Sequence, residues 1–567
     1  MKLHYTFICA ALFLISFSLS SCTADDELPS VEIVDYPQEG LLGETILVQL
    51  NHVPEGGNLQ VFFDAEKAQV MFLSDTEIYV VIPRSIKTAK PILKIINLIT
   101  NEEILKATFS LKAPVISGYS LKEVSFDQVF SIQGDNFDVI DDYVKVYVNN
   151  QLANIIKVGY KEIKISLPYA ISNSNLQIKV EAQRQEINST IGLQLSNPII
   201  TGVSTPTAWI RGELVVDGSG FNPNDQFGQV FINGIKCYYT AQNTQLKIST
   251  PPGPFNDFKV NSISYTTAGL TTIFDANIPI GNDAIMVDYQ SDINNINEVF
   301  VHKDKAYNLT SFGDNFFNEK QDYVLYEFTA SDEKWKQINS FHYTGAIVDA
   351  VYDGNENLYL YKYISSSGTY VLTKLNMNSF VETTLSLPYN KISSPILFAY
   401  QSNLYLLSGV NNINGDISIR TEKYKYSEIS ESWSTLSPNS FSELPLSTLG
   451  GGKCKYLHFN NNIYLNYGSS FKTYKITPNL SVSDYGYILS FGYKDAVIGR
   501  YGNSNSEILY NIATNAQVIV QNDLIQFNNN YFVLNDQIYF FKNSWTEYFQ
   551  NTTYTQKLRP SILNGIL

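Results

Sequence analysis

Charged residues are scarce in this chain. Of its 567 residues, 16% are Asp, Glu, Lys or Arg, and 54 acidic residues outnumber 39 basic ones, for a formal net charge of −15. A nucleic-acid backbone is recognised by clustered Lys and Arg, and no such cluster occurs, so we expect no nucleic-acid partner. In contrast, 39 Tyr and 33 Phe are present. This composition favours a folded, β-rich protein over a disordered one.

Cysteine and histidine are also rare, with four and five residues respectively. The spacings typical of zinc proteases, nucleophile elbows, redox dithiols, phosphate loops and calcium loops do not occur. We therefore predict no metal site, no cofactor and no catalytic residues, and hence no enzyme activity. Cys237 and Cys454 are far apart in the sequence, and we expect two buried free thiols rather than a disulfide.

The long apolar run of the sequence lies at its N-terminus. Lys2 precedes an apolar stretch from Phe7 to Leu19, which is followed by two serines and Cys22. A basic residue, a short apolar run and small residues before a cleavage point are typical of a secretory signal peptide. No second run of about 20 apolar residues follows, so we expect no other membrane-spanning segment.

The residues around Cys22 resemble the lipobox of bacterial lipoproteins. In that motif, leucine and two small residues precede a cysteine that becomes lipidated, and several acyl chains hold a protein durably to a bilayer. Asp25, Asp26 and Glu27 resemble the export signal of surface lipoproteins in Bacteroidetes-type bacteria. The resemblance implies a signal peptide at 1–21 and a lipidated cysteine with an acidic tether at 22–28. It also implies a lipid-anchored protein of the outer membrane that faces the cell exterior.

An internal repeat with a period of 84 residues occupies the next part of the chain. The segment Pro114–Gly118 recurs at Pro198–Gly202, and Gly134-Asp-Asn-Phe recurs at Gly218-Ser-Gly-Phe. A weaker copy precedes them and lacks the glycine turn. Each copy contains short runs that alternate apolar and polar residues between Gly, Asn, Asp and Pro turns. This pattern predicts antiparallel β-sandwiches with one buried face per sheet.

The proline, glycine-turn and strand landmarks of these copies resemble the immunoglobulin-like IPT/TIG domain. The resemblance implies an all-β fold with three tandem sandwiches at 29–113, 114–197 and 198–282. IPT/TIG domains mostly serve as spacers, dimerisation surfaces or glycan-handling modules. A spacer role is favoured here, because a surface-anchored chain gains reach from stacked sandwiches.

A different landmark recurs in the C-terminal half, namely a strand of aromatic and aliphatic residues at blade-sized spacing. Its six copies are 306–309, 358–361, 404–409, 463–468, 497–502 and 538–541. In two copies an aromatic residue precedes a tryptophan with six residues between them, as in Phe328 with Trp335 and Tyr426 with Trp433. This spacing resembles the kelch repeat and implies a six- or seven-bladed kelch-like β-propeller at 283–567. A sandwich array or a β-helix is the rival architecture.

Kelch propellers include copper radical oxidases and sugar mutarotases, so an enzyme remains an alternative. Cys454, Tyr456 and His458 would share one face of an alternating strand, but the second histidine of a copper centre is hard to place. Sugars stack on aromatic rings and bond to planar polar groups, which the sequence supplies in abundance. The ligand-binding candidates are aromatic residues that border polar turns, namely Trp209, Phe316, Phe317, Trp335, Trp433 and Trp545.

The predicted arrangement resembles the glycan-binding lipoproteins that work beside outer-membrane nutrient importers of Bacteroidetes-type bacteria. Our leading hypothesis is therefore a surface lipoprotein that binds a polysaccharide or oligosaccharide through its propeller and assists a SusCD-like, TonB-dependent importer. The alternative is a protein-docking or adhesion subunit of an outer-membrane complex. A third hypothesis is a kelch-type sugar-modifying enzyme.

Overall fold

The computed structural model describes residues 30–567 except 73, 291–294, 313–320, 344, 390, 394, 414–415, 445–454, 467–472, 485–487, 495, 504–505, 522–529 and 546–550. The predicted signal peptide, Cys22 and the acidic triplet Asp25 to Glu27 lie outside these residues. Within the described part, no helix has the length and apolarity needed to cross a membrane.

The described residues form an all-β protein of 54 strands. The helical elements among them are short 3-10 turns: Glu55–Gly57, Asp141–Tyr143, Asp225–Phe227 and Pro560–Gly565. The chain divides into two compact units, residues 1–197 and 198–567.

The first unit contains two sandwiches. The strands of the first are β1 (Ile33–Asp35), β2 (Glu39–Gly40), β3 (Thr45–Leu50), β4 (Leu59–Phe63), β5 (Glu66–Lys67), β6 (Gln69–Phe72), β7 (Glu77–Val81), β8 (Ile92–Asn97), β9 (Glu102–Thr108) and β10 (Ser110–Leu111). The strands of the second are β11 (Val115–Tyr119), β12 (Glu123–Val124), β13 (Phe130–Asp135), β14 (Lys145–Val148), β15 (Gln151–Leu152), β16 (Asn154–Val158), β17 (Glu162–Ser166), β18 (Asn175–Leu176), β19 (Ile178–Ala182), β20 (Gln185–Asn188) and β21 (Leu193–Leu195).

The second unit begins with a third sandwich. Its strands are β22 (Ile199–Val203), β23 (Glu213–Ser219), β24 (Gly228–Ile232), β25 (Ile235–Cys237), β26 (Tyr239–Gln242), β27 (Gln245–Ser249), β28 (Lys259–Thr267) and β29 (Leu270–Pro279).

The three sandwiches share one strand order. One sheet runs β1-β3-β7-β6, β11-β13-β17-β16 or β22-β23-β27-β26, and the facing sheet runs β5-β4-β8-β9, β15-β14-β19-β20 or β25-β24-β28-β29. Alternate residues of each strand face the core, as in β3, where Ile46, Val48 and Leu50 are buried. The first copy has the strand order of the other two although it lacks their glycine turn.

The glycine turn of the second and third copies has a steric origin. A Cβ atom on Gly134 would lie 1.8 Å from the Val115 carbonyl oxygen, and one on Gly218 would lie 2.1 Å from that of Ile199. The aromatic rings of Phe137 and Phe221 lie against the same two glycines. Only glycine allows this close approach of backbone and ring, which explains why the motif repeats.

A network of polar side chains joins the first and second sandwiches. The Arg84 guanidinium donates to both carboxylate oxygens of Asp138, at 2.5 and 2.7 Å, and Asp138 is fully buried. The Gln183 side chain accepts from Leu42 N at 2.8 Å and donates to Phe137 O. Arg184 donates to the carbonyl oxygens of Ile86 and Arg84. The turn between β19 and β20 is therefore bonded directly to the first sandwich.

Six further sheets follow the third sandwich. Sheets 1 and 2 contain β31 (Asn295–His302), β32 (Lys305–Phe312), β33 (Gln321–Phe328) and β34 (Trp335–Tyr343), and β35 (Ala346–Tyr352), β36 (Asn357–Ile364), β37 (Thr369–Asn376) and β38 (Glu382–Leu385). Sheets 3 and 4 contain β39 (Ile392–Ser393), β40 (Ile396–Tyr400), β41 (Asn403–Ile413), β42 (Asp416–Ser427) and β43 (Ser432–Thr435), and β44 (Lys455–Phe459), β45 (Asn462–Asn466), β46 (Thr473–Ile476) and β47 (Val482–Asp484). Sheet 5 contains β48 (Ile488–Tyr493), β49 (Ala496–Asn503), β50 (Ser506–Asn511) and β51 (Gln517–Gln521).

Sheet 6 draws its strands from both ends of this region. Its order is β30-β54-β53-β52, in which β30 (Ala284–Gln290) precedes sheet 1 and β52 (Tyr531–Leu534), β53 (Gln537–Trp545) and β54 (Asn551–Leu558) follow sheet 5. The described residues of each of the six aromatic-aliphatic repeats lie in an interior strand of a separate sheet, namely β32, β36, β41, β45, β49 or β53.

Hydrophobic clusters join neighbouring sheets. Separate clusters are shared by sheets 1 and 2, 2 and 3, 3 and 4, 4 and 5, and 5 and 6. A further cluster contains Phe328 and Trp335 of sheet 1 together with Phe532 and Phe541 of sheet 6, and it continues into the core of the third sandwich.

Trp335 is the centre of the contact between sheets 1 and 6. It is 4% exposed, its ring stacks on Phe541 at 5.4 Å, and its indole nitrogen donates to Thr555 Oγ1 at 2.7 Å. Next to it, the buried Glu333 carboxylate accepts from the Tyr539 hydroxyl at 2.8 Å and pairs with Lys557 at 2.5 Å. Packing and charge pairing therefore hold the last sheet against the first.

Replacing Asp138 by alanine should destabilise the first unit by about 3 kcal/mol or more, because the Arg84 charge would lose its buried partner. The control is Asp142→Ala, which removes the same charge from an exposed site nearby and should change stability by about 0.5 kcal/mol or less. Urea unfolding of the full chain, followed by circular dichroism, measures both. Equal effects of the two substitutions would contradict the role of the Arg84–Asp138 pair in joining the first and second sandwiches.

Replacing Trp335 by alanine should destabilise the second unit by about 3 to 5 kcal/mol, because it leaves a cavity in the core and removes the indole hydrogen bond to Thr555. Trp209→Ala, at a tryptophan that is 54% exposed, should cost about 1 kcal/mol or less. Thermal unfolding, followed by circular dichroism, measures the loss of stability in each variant. If Trp209→Ala lost as much stability as Trp335→Ala, the burial of the tryptophan would not determine the cost of removing it.

Candidate functional site

The candidate site with the most aromatic and ionisable lining is a cavity of about 310 Å³ among edge strands of the C-terminal sheets. Residues of β31, β35, β44, β48 and β52 line it, and exposed Gly354 lies at its edge, so the cavity opens to solvent there. Its walls combine ionisable and aromatic side chains, among them Glu298, Phe300, Tyr352, Tyr456, His458, Phe459 and Tyr531.

Tyr456 connects three sheets at this cavity. Its hydroxyl accepts a hydrogen bond from Tyr352 N at 2.8 Å and donates to Glu298 Oε1 at 3.4 Å. Burial, reinforced by the negative charges of Glu298 and Asp349, holds the pKa of the Tyr456 phenol well above its usual range. The phenol therefore remains protonated at neutral pH and acts as a hydrogen-bond donor.

His458 lies two residues from Tyr456 on the same face of β44, and the two rings meet edge to face at 5.7 Å. Burial lowers the pKa of the His458 imidazole to about 4, although the negative charge of Asp353 opposes this shift. The ring is neutral at pH 7 as a result. Its Nε2 atom is buried and has no hydrogen-bond partner in the described part of the chain.

Tyr531 supplies a second phenol to the lining of the cavity, at the start of β52. Burial, with a further contribution from the negative charge of Glu298, raises the pKa of its hydroxyl. Within the described residues the Tyr531 hydroxyl makes no hydrogen bond. Neutral donors and acceptors therefore meet one carboxylate and several aromatic rings in this cavity, an arrangement suited to a small hydroxylated ligand.

Stacked rings and a second histidine support the wall of the cavity. Phe300 stacks on Tyr352 with centroids 4.4 Å apart, and the Tyr352 hydroxyl lies 2.8 Å from His302 Nδ1. His302 is 4% exposed and also approaches Asn378 Oδ1 through Nε2 at 3.2 Å. These contacts hold the wall in one conformation, so the cavity is preorganised.

The six predicted ligand-binding aromatic residues do not converge on this cavity. Trp335 is a core residue, so its ring is closed to a ligand, which corrects that prediction. Trp433 is partly buried against Tyr426 and donates from its indole to Ser386 O at 2.5 Å, which also indicates a packing role. Trp209 is exposed on the third sandwich. Phe316 and Phe317 lie outside the described residues, as does the side chain of Trp545.

The sequence identified part of the cavity through its alternation pattern. Tyr456 and His458 were expected to share a face, and both line the cavity, whereas Cys454 lies outside the described residues. Within the described part of the chain, no group of three or more His, Cys, Asp and Glu side chains could hold a metal ion. Cys237 is a buried free thiol, and burial raises its pKa to about 11. Glu298 and Tyr531 carried no sequence signal, because they meet Tyr456 only through the packing of the sheets.

Comparison with known proteins matches two of the sandwiches to a domain family. No curated protein matches the chain in sequence. A solved protein of unknown function from Bacteroides thetaiotaomicron is 14% identical, with 79% of this chain and 98% of that chain covered and a TM-score of 0.24. An auxiliary nutrient binding protein of the same organism is 11% identical, with the same coverage and a TM-score of 0.23.

A surface glycan-binding protein from Prevotella bryantii is 15% identical over 36% of this chain and 56% of that chain, with a TM-score of 0.19. At such scores and identities, these neighbours do not assign a function to the chain. The IPT/TIG domain family matches residues 114–194 and 198–275, which are the second and third sandwiches. The chain therefore contains IPT/TIG domains, within an all-β protein of immunoglobulin-like sandwiches and antiparallel sheets.

Proposed function

We propose that this chain is a surface glycan-binding lipoprotein that holds a sugar unit in the cavity between Glu298, Tyr456, His458 and Tyr531. The observation that carries the proposal is the convergence of aromatic rings and neutral polar groups on one cavity. Its volume of about 310 Å³ lies at the lower end of the range of about 300 to 1,000 Å³ for small-molecule pockets. One or two sugar units would occupy such a space.

The chemistry of the walls favours a neutral sugar. Glu298 is the acidic residue of the cavity wall, and no Lys or Arg is among the described residues that line the cavity, so an anionic ligand would be repelled there. Hydroxyl groups of a neutral sugar could accept from the Tyr531 phenol and donate to Glu298. A buried nitrogen without a partner, such as His458 Nε2, is uncommon in folded proteins, and a bound hydroxyl would satisfy it.

We further propose that the six C-terminal sheets are the blades of a six-bladed, kelch-like propeller with this cavity on its axis. The support is that a hydrophobic cluster joins each sheet to the next and the sixth to the first. The pairing of β30 with β54 in sheet 6 has the form of a strand exchange that closes a ring.

The proposal also covers the membrane anchor of the chain and its protein partner. Lipidation at Cys22 and export directed by Asp25, Asp26 and Glu27 would place the chain on the outer face of the outer membrane. There it would deliver glycan to a SusCD-like, TonB-dependent importer, with the sandwiches as spacers. We propose binding without turnover, because Glu298 is the single carboxylate among the described residues that line the cavity, whereas glycoside hydrolysis requires a pair of carboxyl groups.

Native affinity electrophoresis of residues 23–567, in gels that contain plant, microbial and host polysaccharides, tests the glycan proposal. Retardation by a neutral polysaccharide is expected. Tyr531→Phe and His458→Gln should each weaken it by about 5- to 10-fold, the value of one hydrogen bond to the ligand. The control is His342→Gln at an exposed histidine of sheet 1. If no polysaccharide retards the chain, protein docking replaces glycan binding, and release of a modified sugar would indicate an enzyme.

The low pKa of His458 predicts a pH dependence of stability. The imidazole titrates at about 4 in the folded chain and near 6.5 when unfolded, so the unfolded state binds the proton first as the pH falls. Stability should therefore decrease between pH 6.5 and 4, by up to about 3 kcal/mol from this residue. This loss of stability should be smaller in His458→Gln, whereas in His342→Gln it should be the same as in the unmodified chain. Identical pH profiles for all three proteins, measured by urea unfolding, would contradict a buried neutral His458.

A further inference from the structure

A second groove lies on the third sandwich, remote in sequence from the residues of the cavity. It encloses about 280 Å³ and is lined by the loop before β23 and by the ends of β25, β26 and β27. Tyr238 stands at this groove and is 90% exposed. A tyrosine ring this accessible can stack on a ligand that enters the groove.

Arg211 adds an unused positive charge to the same groove. It is exposed, and within the described residues it forms no ion pair or side-chain hydrogen bond. The other two charged residues of the groove, Lys247 and Glu213, lie 3.8 Å apart and offset each other. The groove therefore carries a net positive charge, that of the Arg211 guanidinium, in a chain that is strongly acidic overall.

The loop that carries Arg211 is held rigidly. Arg211 N donates to Thr250 O at 2.9 Å, Thr250 N donates back to Gly212 O at 2.9 Å, and Ile210 N donates to the buried Asn282 side chain at 2.7 Å. The exposed Trp209 ring, two residues before Arg211, lies against Gly281 so closely that a Cβ there would be 2.6 Å away. A preorganised loop loses little conformational freedom when it binds a ligand.

We propose that this groove is a second glycan-binding site, specific for a sugar that carries a carboxylate, with Tyr238 as the stacking platform and Arg211 as the carboxylate ligand. A guanidinium binds a carboxylate through two parallel hydrogen bonds, and the apolar face of a pyranose stacks on a phenol ring. The ligand class is an acidic polysaccharide of the uronic acid type. The inference rests on the proposed function in that both assign glycan binding, but the residues and the ligand charge differ.

The test is affinity electrophoresis of residues 23–567 in gels with polygalacturonate, with carboxyl-reduced polygalacturonate as the matched neutral polymer. Polygalacturonate should retard the chain and its reduced form should not, and the retardation should weaken with added salt. Tyr238→Ala and Arg211→Gln should each reduce apparent affinity about 10-fold. Ile273→Ala, at a residue 70% exposed on the same sandwich, is the control and should have no effect.

The outcomes separate this inference from the cavity proposal. Tyr531→Phe should leave polygalacturonate binding unchanged, while Tyr238→Ala should leave binding of a neutral polysaccharide unchanged. No retardation by polygalacturonate, or equal retardation by its neutral form, overturns the carboxylate assignment. Equal retardation of the chain by polyglutamate would overturn the glycan assignment in favour of an acidic peptide.

Discussion

The pairing of β30 with β54 is the contact on which the second unit depends. It completes sheet 6 from strands that lie more than 260 residues apart in the chain, so the two ends of the C-terminal region share one sheet. Arg559, directly after β54, stacks on Phe258 of the third sandwich at 4.2 Å and donates to Ile280 O. The same pairing therefore also attaches the sandwich to the sheets.

The packing of neighbouring sheets against one another forms the walls of the cavity. Its walls come from edge strands of sheets that are distant in sequence, and each wall is held by packing with the neighbouring sheet. The Tyr456 hydroxyl shows the dependence most directly, because it bonds to the backbone of β35 and to a side chain of β31. A change that opened sheet 6 would be transmitted to Glu298 and Tyr531, which face each other only while the sheets remain packed.

Local patterns predicted the strands better than the site. The aromatic-aliphatic repeats each fall in an interior strand of a sheet, because that position is buried on both faces and selects Leu and Tyr. The spacing between Phe328 and Trp335 was likewise informative about packing, since the two rings lie 5.1 Å apart. The same tryptophan was a poor guide to ligand binding, because composition does not distinguish a ring that faces a neighbouring sheet from one that faces solvent. Exposure depends on residues far away, such as Phe541 and Thr555.

The sequence by itself determined the all-β class, the 84-residue repeat and its glycine turns, because alternation, turn residues and close backbone contacts are local properties. It also determined that Tyr456 and His458 share a face. Only the tertiary structure decided that Glu298 and Tyr531 join them, that Trp335 is buried, and that Tyr238 and Arg211 share a groove. Each of these depends on contacts between segments with no common local pattern, since sheet packing rather than strand formation brings them together.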